Sequence, residues 1–216
     1  MYNLFIFRPA SDILVSPEYE PVLRQKESVF RKIIVFNMLS VDGYFEGLNR
    51  DINWHNVDEE FNDFAIEQLN TVGTLLFGRV TYQLMESYWP TPDSLQDDPI
   101  VEGLMNQIPK FVFSKSLKGV NWQNTTLVKG DAAEAVTSLK ELPGKDMFVF
   151  GSGEFVSYLA QHDLIDEYRL IFSPIVLGKG NSMFKNLNER IQLKLVNSRV
   201  FSSGNVLLYY QPIRKE

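Results

Sequence analysis

The segment MFVFGSGEFVSYLA, residues 147–160, joins an apolar run to a helix-like pattern through two glycines. The apolar run predicts a buried strand, and the spacing of apolar residues after Glu154 predicts a helix. Gly151 and Gly153 permit a tight turn and remove the Cβ atoms that would keep a ligand away. The start of the helix offers unpaired N–H groups to an anion. The residues are compatible with a tight turn of purely structural role or with a phosphate site.

Two other well-known motifs do not fit this segment. The dinucleotide-binding fingerprint of doubly wound folds needs a third glycine at the position of Val156. A serine hydrolase would need glycines two residues on either side of Ser152, where Phe150 and Glu154 stand. Both classes are therefore excluded.

From Lys32 onward, apolar runs alternate with segments of helical periodicity. The runs are nearly continuous, which is typical of strands that helices cover on both faces of a mostly parallel sheet. The predicted strands are 32–39, 74–77, 110–113, 125–128, 147–150 and 168–172. The predicted helices are 58–70, 81–88, 99–107, 131–142 and 154–161. Residues 191–201 and 205–213 alternate in polarity around Ser202-Ser203-Gly204 and predict a terminal antiparallel hairpin.

Two more predicted strands end in residues suited to an anion. Gly78 and Arg79 follow one strand, and we expect Thr81 to begin the next helix. A cation at the positive end of a helix is unfavourable unless an anion lies between them, although an ion pair with a carboxylate would also explain Arg79. Ser114 and Lys115 follow another strand, where an ordinary exposed loop is the alternative. In a parallel sheet these strand ends share the edge at which ligands bind.

Composition narrows the class of protein. A chain of 216 residues suits one domain, which we expect to span 31–216 after an N-terminal extension, 1–30, of unknown role. The net charge of -6 disfavours a nucleic-acid partner, and no apolar run is long enough to span a membrane. With no cysteine and two histidines we expect no metal site, and a cytoplasmic location.

Five segments together resemble the dihydrofolate-reductase-like proteins related to the reductase domain of bacterial riboflavin biosynthesis. They are SVDGYFEG, FGRVTYQLMESYWP, FVFSKSL, FGSGEFVSYLA and LIDEYRLIFSPIVLGKGNSMF. The resemblance covers residues 31–212 and implies an α/β/α sandwich on a mixed sheet of about eight strands, a homodimer, and NADPH laid across the strand ends. It implies that the 2′-phosphate and pyrophosphate contact Gly78, Arg79, Thr81, Ser114, Lys115, Gly151, Ser152, Gly153, Glu154 and Phe155.

The residues that would contact the substrate are harder to identify from the sequence. The resemblance aligns Trp54 with a family tryptophan and so indicates Glu59 as the carboxylate that protonates or anchors substrate. Solvated first-turn acids are the alternative, because Asp58, Glu59 and Glu60 suit the start of a helix. Asp42 either lies near the nicotinamide and substrate or only forms the turn with Gly43. Trp54 and Phe64 are candidate substrate contacts, with a place in the core as the alternative for Phe64.

The resulting hypothesis is an NADPH-dependent reductase that transfers hydride to a C=N or C=O bond of a pteridine-like or pyrimidinone-like small molecule. Its cofactor supplies the chemistry, and the protein supplies orientation and an apolar slot. The alternatives are a non-catalytic or regulatory nucleotide-binding module with the same fold, and a cleft for another anionic metabolite.

Overall fold

The computed structural model describes residues 30–214, so that nearly all of the expected N-terminal extension lies outside the described residues. The described part contains ten strands and six α-helices. The strands are β1 Ile33–Ser40, β2 Tyr44–Glu46, β3 Val72–Gly78, β4 Lys110–Phe113, β5 Thr125–Val128, β6 Asp146–Val149, β7 Glu167–Ser173, β8 Asn181–Ser182, β9 Leu193–Val200 and β10 Val206–Pro212. The helices are α1 Glu59–Thr71, α2 Arg79–Glu86, α3 Pro92–Asp97, α4 Pro99–Gln107, α5 Ala132–Glu141 and α6 Gly153–Gln161.

Eight strands form one mixed sheet in the order β5-β4-β3-β6-β1-β7-β10-β9. The first six strands in this order, β5, β4, β3, β6, β1 and β7, run parallel to one another. β10 is antiparallel to both β7 and β9, which confirms the terminal hairpin. A separate antiparallel pair joins β2 to β8.

Alternate residues of β1 supply the two faces of the sheet with separate cores. Ile34 and Phe36 belong to a cluster that also contains Phe61 of α1 and Met105 of α4. Ile33 belongs to a second cluster, which α5 and α6 cover. Because β1 is buried on both faces, its sequence is almost continuously apolar. The chain is therefore the three-layer α/β/α sandwich that its pattern predicts.

The predicted helices occur within two residues of their expected bounds. The second begins at Arg79 rather than Thr81, because Gly78 already occupies the N-cap position. Helix α3 was not predicted, since its six residues lack a full apolar period, and neither was the short β2–β8 pair. No helix among residues 30–214 is long and apolar enough to cross a bilayer.

Candidate functional site

Three adjacent strands bring the predicted anion-binding segments to one edge of the sheet. β3 lies between β4 and β6 and is parallel to both. Gly78 ends β3, Ser114 and Gly151 come just after β4 and β6, and these strand ends are therefore neighbours. A Cβ built on Gly78 would lie 3.3 Å from Oγ of Ser152 and 3.1 Å from Cβ of Phe155, so the turns after β3 and β6 are in contact. We call this edge the rim.

The two helices that begin at the rim start differently from α1, α4 and α5. Helices α1, α4 and α5 are capped by the side chains of Asp58, Asp98 and Asp131, which accept hydrogen bonds from first-turn N–H groups. Helices α2 and α6 have Gly78 and Ser152 at this position, with no side-chain cap. Their first-turn N–H groups therefore remain available to an anionic ligand.

Arg79 is the first residue of α2 and is exposed at the rim. Its Nη1 donates to Oε1 of Gln83 at 3.0 Å, so the predicted alternative of a carboxylate partner is not what the structure shows. Lys115 is also exposed, and Oγ of Ser114 accepts from the backbone N–H groups of Ser116 and Leu117 at 3.2 and 3.1 Å. Two cationic side chains thus stand beside the uncapped helix starts.

Gly151 needs to be glycine for two reasons within the protein. The first is its φ of +49°, a left-handed conformation that strains other residues. A Cβ there would lie 3.1 Å from Oγ1 of Thr81. The Gly151 N–H donates to Oδ1 of Asn37 at 2.8 Å. Thr81, Asn37 and Gly151 thus form one packed contact between α2, β1 and the turn after β6.

Position 153 requires glycine for a reason other than the ligand contact that the sequence suggested. A Cβ at Gly153 would lie 2.8 Å from the carbonyl oxygens of both Ser182 and Met183. The residue therefore admits the chain's own β8 segment, whether or not a ligand binds. Glu154 is exposed, and Phe155 is buried and stacks on Phe113 with ring centroids 5.0 Å apart.

A cavity of about 620 Å³ opens beside the rim, between the sheet and α1, α2 and α4. Phe36, Phe148 and Phe150 contribute from the sheet side, and Phe61 contributes from α1. Trp89 lines it from the segment after α2. The size and the apolar, aromatic wall suit a small planar ligand.

Thr81 and Gly151 line both the rim and this cavity. Thr81 and Gly151 therefore mark the place where the rim and the cavity meet. The remaining predicted cofactor residues surround the strand ends outside the cavity lining.

The three acids at the start of α1 do not form part of the cavity lining. Oδ1 of Asp58 accepts from the Phe61 N–H at 2.8 Å. Glu59 is exposed. Glu60 pairs with Arg199 at 3.0 Å and accepts from Ser202 N–H and Oγ at 2.8 Å, and these contacts lower its pKa to about 2, the two bonds from Ser202 most of all. The cavity face of α1 instead presents residues such as Phe61 and Asn62.

The two predicted substrate contacts also lie outside the cavity lining. Phe64 is 2 % exposed and packs against Phe201 with ring centroids 5.4 Å apart, which corrects its assignment as a substrate wall in favour of the core. Nε1 of Trp54 donates to the Asp51 carbonyl at 3.0 Å. Trp54 therefore stabilises its own loop, in which Asn53 and His55 line the cavity.

Asp42 anchors a loop. Its carboxylate accepts from Ser40 Oγ at 2.7 Å and from the backbone N–H groups of Leu177 and Gly178 at 3.1 and 2.7 Å. These bonds, led by that from Ser40, lower the pKa of Asp42. The geometry favours the turn-forming alternative, extended by a link to the loop after β7.

Sequence reasoning missed several polar residues of the cavity wall, among them Glu46, Arg50 and His55. Glu46 ends β2, and Arg50 and His55 lie in the segment between β2 and α1, where no periodicity marks a buried face. Glu46 is 7 % exposed and its Oε1 accepts from Nδ2 of Asn181 at 2.6 Å. A single histidine beside Trp54 was the available signal, and it is a weak one.

Comparison with known proteins agrees with this architecture. Residues 31–207 match the model of the RibD C-terminal domain. The chain is 34 % identical over 182 residues to the uncharacterised protein YyaP of Bacillus subtilis (strain 168), covering 83 % of this chain and 94 % of YyaP.

Solved structures show the same fold. A candidate riboflavin biosynthesis protein of Shewanella sp. PV-4 superposes with a TM-score of 0.66 at 25 % identity, covering 85 % of this chain and 99 % of that one. Dihydrofolate reductase of Enterococcus faecalis, solved with NADP(H), superposes with a TM-score of 0.58 at 14 % identity, covering 84 % of this chain and 96 % of that one. The sandwich is thus dihydrofolate-reductase-like, and the chain belongs to the RibD C-terminal domain family.

Proposed function

We propose that this protein is an NADPH-dependent reductase that acts on a C=N or C=O bond of a pteridine-like or pyrimidinone-like small molecule. The observation that carries the proposal is the pair of uncapped helix starts at Gly78 and Ser152, which open onto an aromatic cavity through Thr81 and Gly151. When bound, NADPH supplies the hydride. The protein orients both molecules and keeps water from the cavity.

The residues at the rim fit a phosphorylated dinucleotide. In this proposal the N–H groups at the starts of α2 and α6, with Thr81 and Gly151 to Phe155, hold the pyrophosphate. Arg79, Ser114 and Lys115 hold the 2′-phosphate, with the guanidinium and ammonium groups supplying charge-assisted bonds. Glu154 is exposed, so water and salt screen the repulsion between its carboxylate and the phosphates.

The cavity holds the ring to be reduced. Its aromatic wall favours a planar heterocycle, and its proximity to Gly151 favours an approach to the nicotinamide side of the cofactor. Glu59 lies outside the lining, so water is better supported than Glu59 as the source of the proton.

Calorimetric titration with NADPH tests the proposal. We expect saturable binding, and a ligand at about 100 times its dissociation constant should stabilise the fold by about 2.7 kcal/mol in thermal melting. Oxidation of NADPH at 340 nm is then followed with pterins, pyrimidinones, imines and ketones. The absence of heat and of any melting shift at millimolar NADPH would refute the proposed cofactor.

A non-catalytic nucleotide-binding module is the second candidate. It is favoured by the placement of Asp58, Glu59 and Glu60, which leaves α1 without a carboxylate in the cavity wall. NADPH binding with no turnover of any member of the substrate panel would support this candidate over the reductase.

We also propose that the protein is a cytoplasmic homodimer. The edge strand β9 exposes Leu195, Val196 and Val200 by 52, 53 and 71 %, and such edges favour pairing with another chain. The lack of cysteine suits a reducing compartment. Light scattering should report twice the 24.9 kDa chain mass, and a monomer at micromolar concentration would contradict the dimer.

A further inference from the structure

Two amide side chains lie on the face of α1 that borders the cavity, and the proposed function does not yet use them. The lining residues of α1 are Phe61, Asn62, Ala65, Gln68 and Leu69, and this spacing is that of one side of a helix. At about 100° per residue they cover a strip about 120° wide, with Asn62 and Gln68 at its opposite edges. At about 1.5 Å per residue the two are about 9 Å apart along the helix axis. A ligand on this face therefore lies between the two amides.

A hydrogen bond to Asp98 fixes the orientation of Asn62. Nδ2 of Asn62 donates to Oδ2 of Asp98 at 2.7 Å. Oδ1 of Asp98 accepts from the N–H groups of Ile100 and Val101 at 3.1 and 2.9 Å, so the carboxylate is held at the start of α4. Because a carboxylate only accepts hydrogen bonds, the amide nitrogen of Asn62 must face it. Oδ1 of Asn62 is thereby left as an acceptor.

Gln68 is held in the opposite sense. Its Oε1 accepts from Nη1 of Arg169. Because a guanidinium only donates hydrogen bonds, the amide oxygen of Gln68 must face it. Arg169 is held in turn by Glu167, whose Oε1 lies 2.6 Å from Nε, and by the ring of Phe148, whose centroid lies 5.5 Å from Cζ. Nε2 of Gln68 is thereby left as a donor.

The two remaining amide atoms are open to a ligand. Oδ1 of Asn62 and Nε2 of Gln68 have no hydrogen-bond partner within residues 30–214, and neither belongs to the side-chain atoms of that range that are both buried and unpaired. Both side chains are half-buried in a largely apolar wall. In such a wall a hydrogen bond discriminates strongly, because a ligand without the matching group leaves the protein atom unpaired.

We propose that Oδ1 of Asn62 accepts a hydrogen bond from an N–H group of the substrate, and that Nε2 of Gln68 donates one to a carbonyl oxygen on the other side of the same ring system. The inference rests on the proposed function, and it narrows the substrate class of the same cavity to oxo-heterocycles that also carry an N–H donor. Both contacts are made by side chains that do not titrate.

A matched pair of ligands tests the contact of Gln68. Pterin has a ring carbonyl where 2,4-diaminopteridine has an amino group. Fluorescence titration at neutral pH is carried out on the protein alone and with NADP⁺. We expect the natural protein to bind pterin about tenfold more tightly, because the amino group would meet the donor of Gln68. Equal affinities, a preference for the diamino compound, or no binding of either compound overturns the proposal.

Gln68→Glu reverses the atom offered to the ligand and keeps the bond to Arg169. A carboxylate oxygen then replaces Nε2, so it accepts from an amino group and repels a carbonyl. We expect the order of affinities to invert, which damage to the fold alone would not produce. Gln83→Glu is the matched control, since Gln83 also accepts from an arginine, Arg79, but is exposed and outside the cavity lining. A Gln68→Glu protein that still prefers pterin contradicts the contact.

Asn62→Leu tests the acceptor. Leucine has nearly the same size but offers no hydrogen-bond acceptor, so we expect both pteridines to bind about tenfold more weakly, since both carry amino groups. Asn70→Leu, exposed on the same helix and outside the cavity lining, is the control. Since Asn62→Leu also removes the bond to Asp98, titrations are made well below its measured melting temperature. Unchanged affinity for both compounds overturns the role of Asn62.

Failure of the proposed cofactor is distinguishable from failure of this inference. NADPH binding is measured separately on the same samples. If NADPH does not bind but the ligand preference and its inversion are found in the protein alone, the proposed cofactor is wrong and the amide contacts stand. If NADPH binds and the preference does not invert in Gln68→Glu, the amide contacts are wrong and the cofactor stands.

Discussion

Oδ1 of Asn37 accepts a hydrogen bond of 2.8 Å from the N–H group of Gly151, which joins the middle of β1 to the turn after β6. Both residues line the cavity, and Gly151 also faces Thr81 at the rim. One amide side chain thus fixes the turn at the point where the rim and the cavity meet.

Replacing Asn37 should therefore damage stability and cofactor binding together. Asn37→Ala leaves the buried Gly151 N–H unpaired, so we expect a loss of about 1 to 3 kcal/mol in the free energy of unfolding, measured in urea. NADPH affinity should fall as the turn loosens. Asn197→Ala, exposed on the edge strand β9 with one bond from the adjacent Ser198 N–H at 2.9 Å, is the control and should cost less stability and leave NADPH affinity unchanged. If Asn37→Ala is destabilised but binds NADPH with unaltered affinity, the turn does not contribute to cofactor binding.

Arg79→Ala tests which phosphate the rim recognises. A charge-assisted hydrogen bond contributes about 1.5 to 3 kcal/mol, so NADPH should bind roughly ten- to a hundredfold more weakly. NADH, which lacks the 2′-phosphate, should be almost unaffected. Lys194→Ala, exposed on β9 at the far edge of the sheet, is the charge-matched control. If calorimetry shows equal losses for NADPH and NADH, Arg79 does not contact the 2′-phosphate.

Gly153→Ala tests the packing explanation of this glycine. The new methyl group would press on two backbone carbonyls at 2.8 Å, so we expect a lower melting temperature even without ligand. Gly103→Ala is the matched control, because it lies inside α4 with nothing within 4 Å of a new Cβ. That substitution should stabilise the protein by up to about 1 kcal/mol. If Gly153→Ala has the same melting temperature as the natural protein, β8 moves aside at little cost and the packing explanation is wrong.

Glu60 should contribute to stability against acid. Its pKa is lowered to about 2 by the two hydrogen bonds from Ser202 and by Arg199. A carboxyl group with a lowered folded-state pKa stabilises the fold above its unfolded value of about 4.3, and this contribution disappears as the pH falls toward 2. Glu60→Gln should therefore flatten the loss of stability between about pH 5 and 2 in denaturant melts. Glu59→Gln, on the same turn but exposed, is the control, and identical acid profiles for natural protein and Glu60→Gln would refute the role.

Much of the rim was accessible to sequence reasoning. The glycines and cations after β3, β4 and β6 were expected at one edge, and the observed parallel order places them there. This prediction succeeds because strand type follows from local apolar runs, and because parallel strands end on the same side. The assignment of each rim residue to a particular phosphate is still a prediction.

The residues around the cavity could not be identified from the sequence in the same way. The resemblance that aligns Trp54 indicated Glu59, and Phe64 was a candidate substrate contact, but the turn of α1 directs Phe61 and Asn62 to the cavity. His55 drew no assignment, although the folded chain places it in the cavity wall. Spacing along a chain cannot reveal which side of a helix start faces a pocket.

The alternation of strands and helices, the terminal hairpin and the glycines and charges at the strand ends could be predicted from the residues, because they depend on chain neighbours and on backbone freedom. The fold was needed to show that Gly153 makes room for Ser182 and Met183, that Asp42 anchors the loop at Gly178, and that His55 lines the cavity. These properties depend on contacts between segments far apart in the chain, and such contacts exist only once the layers have packed.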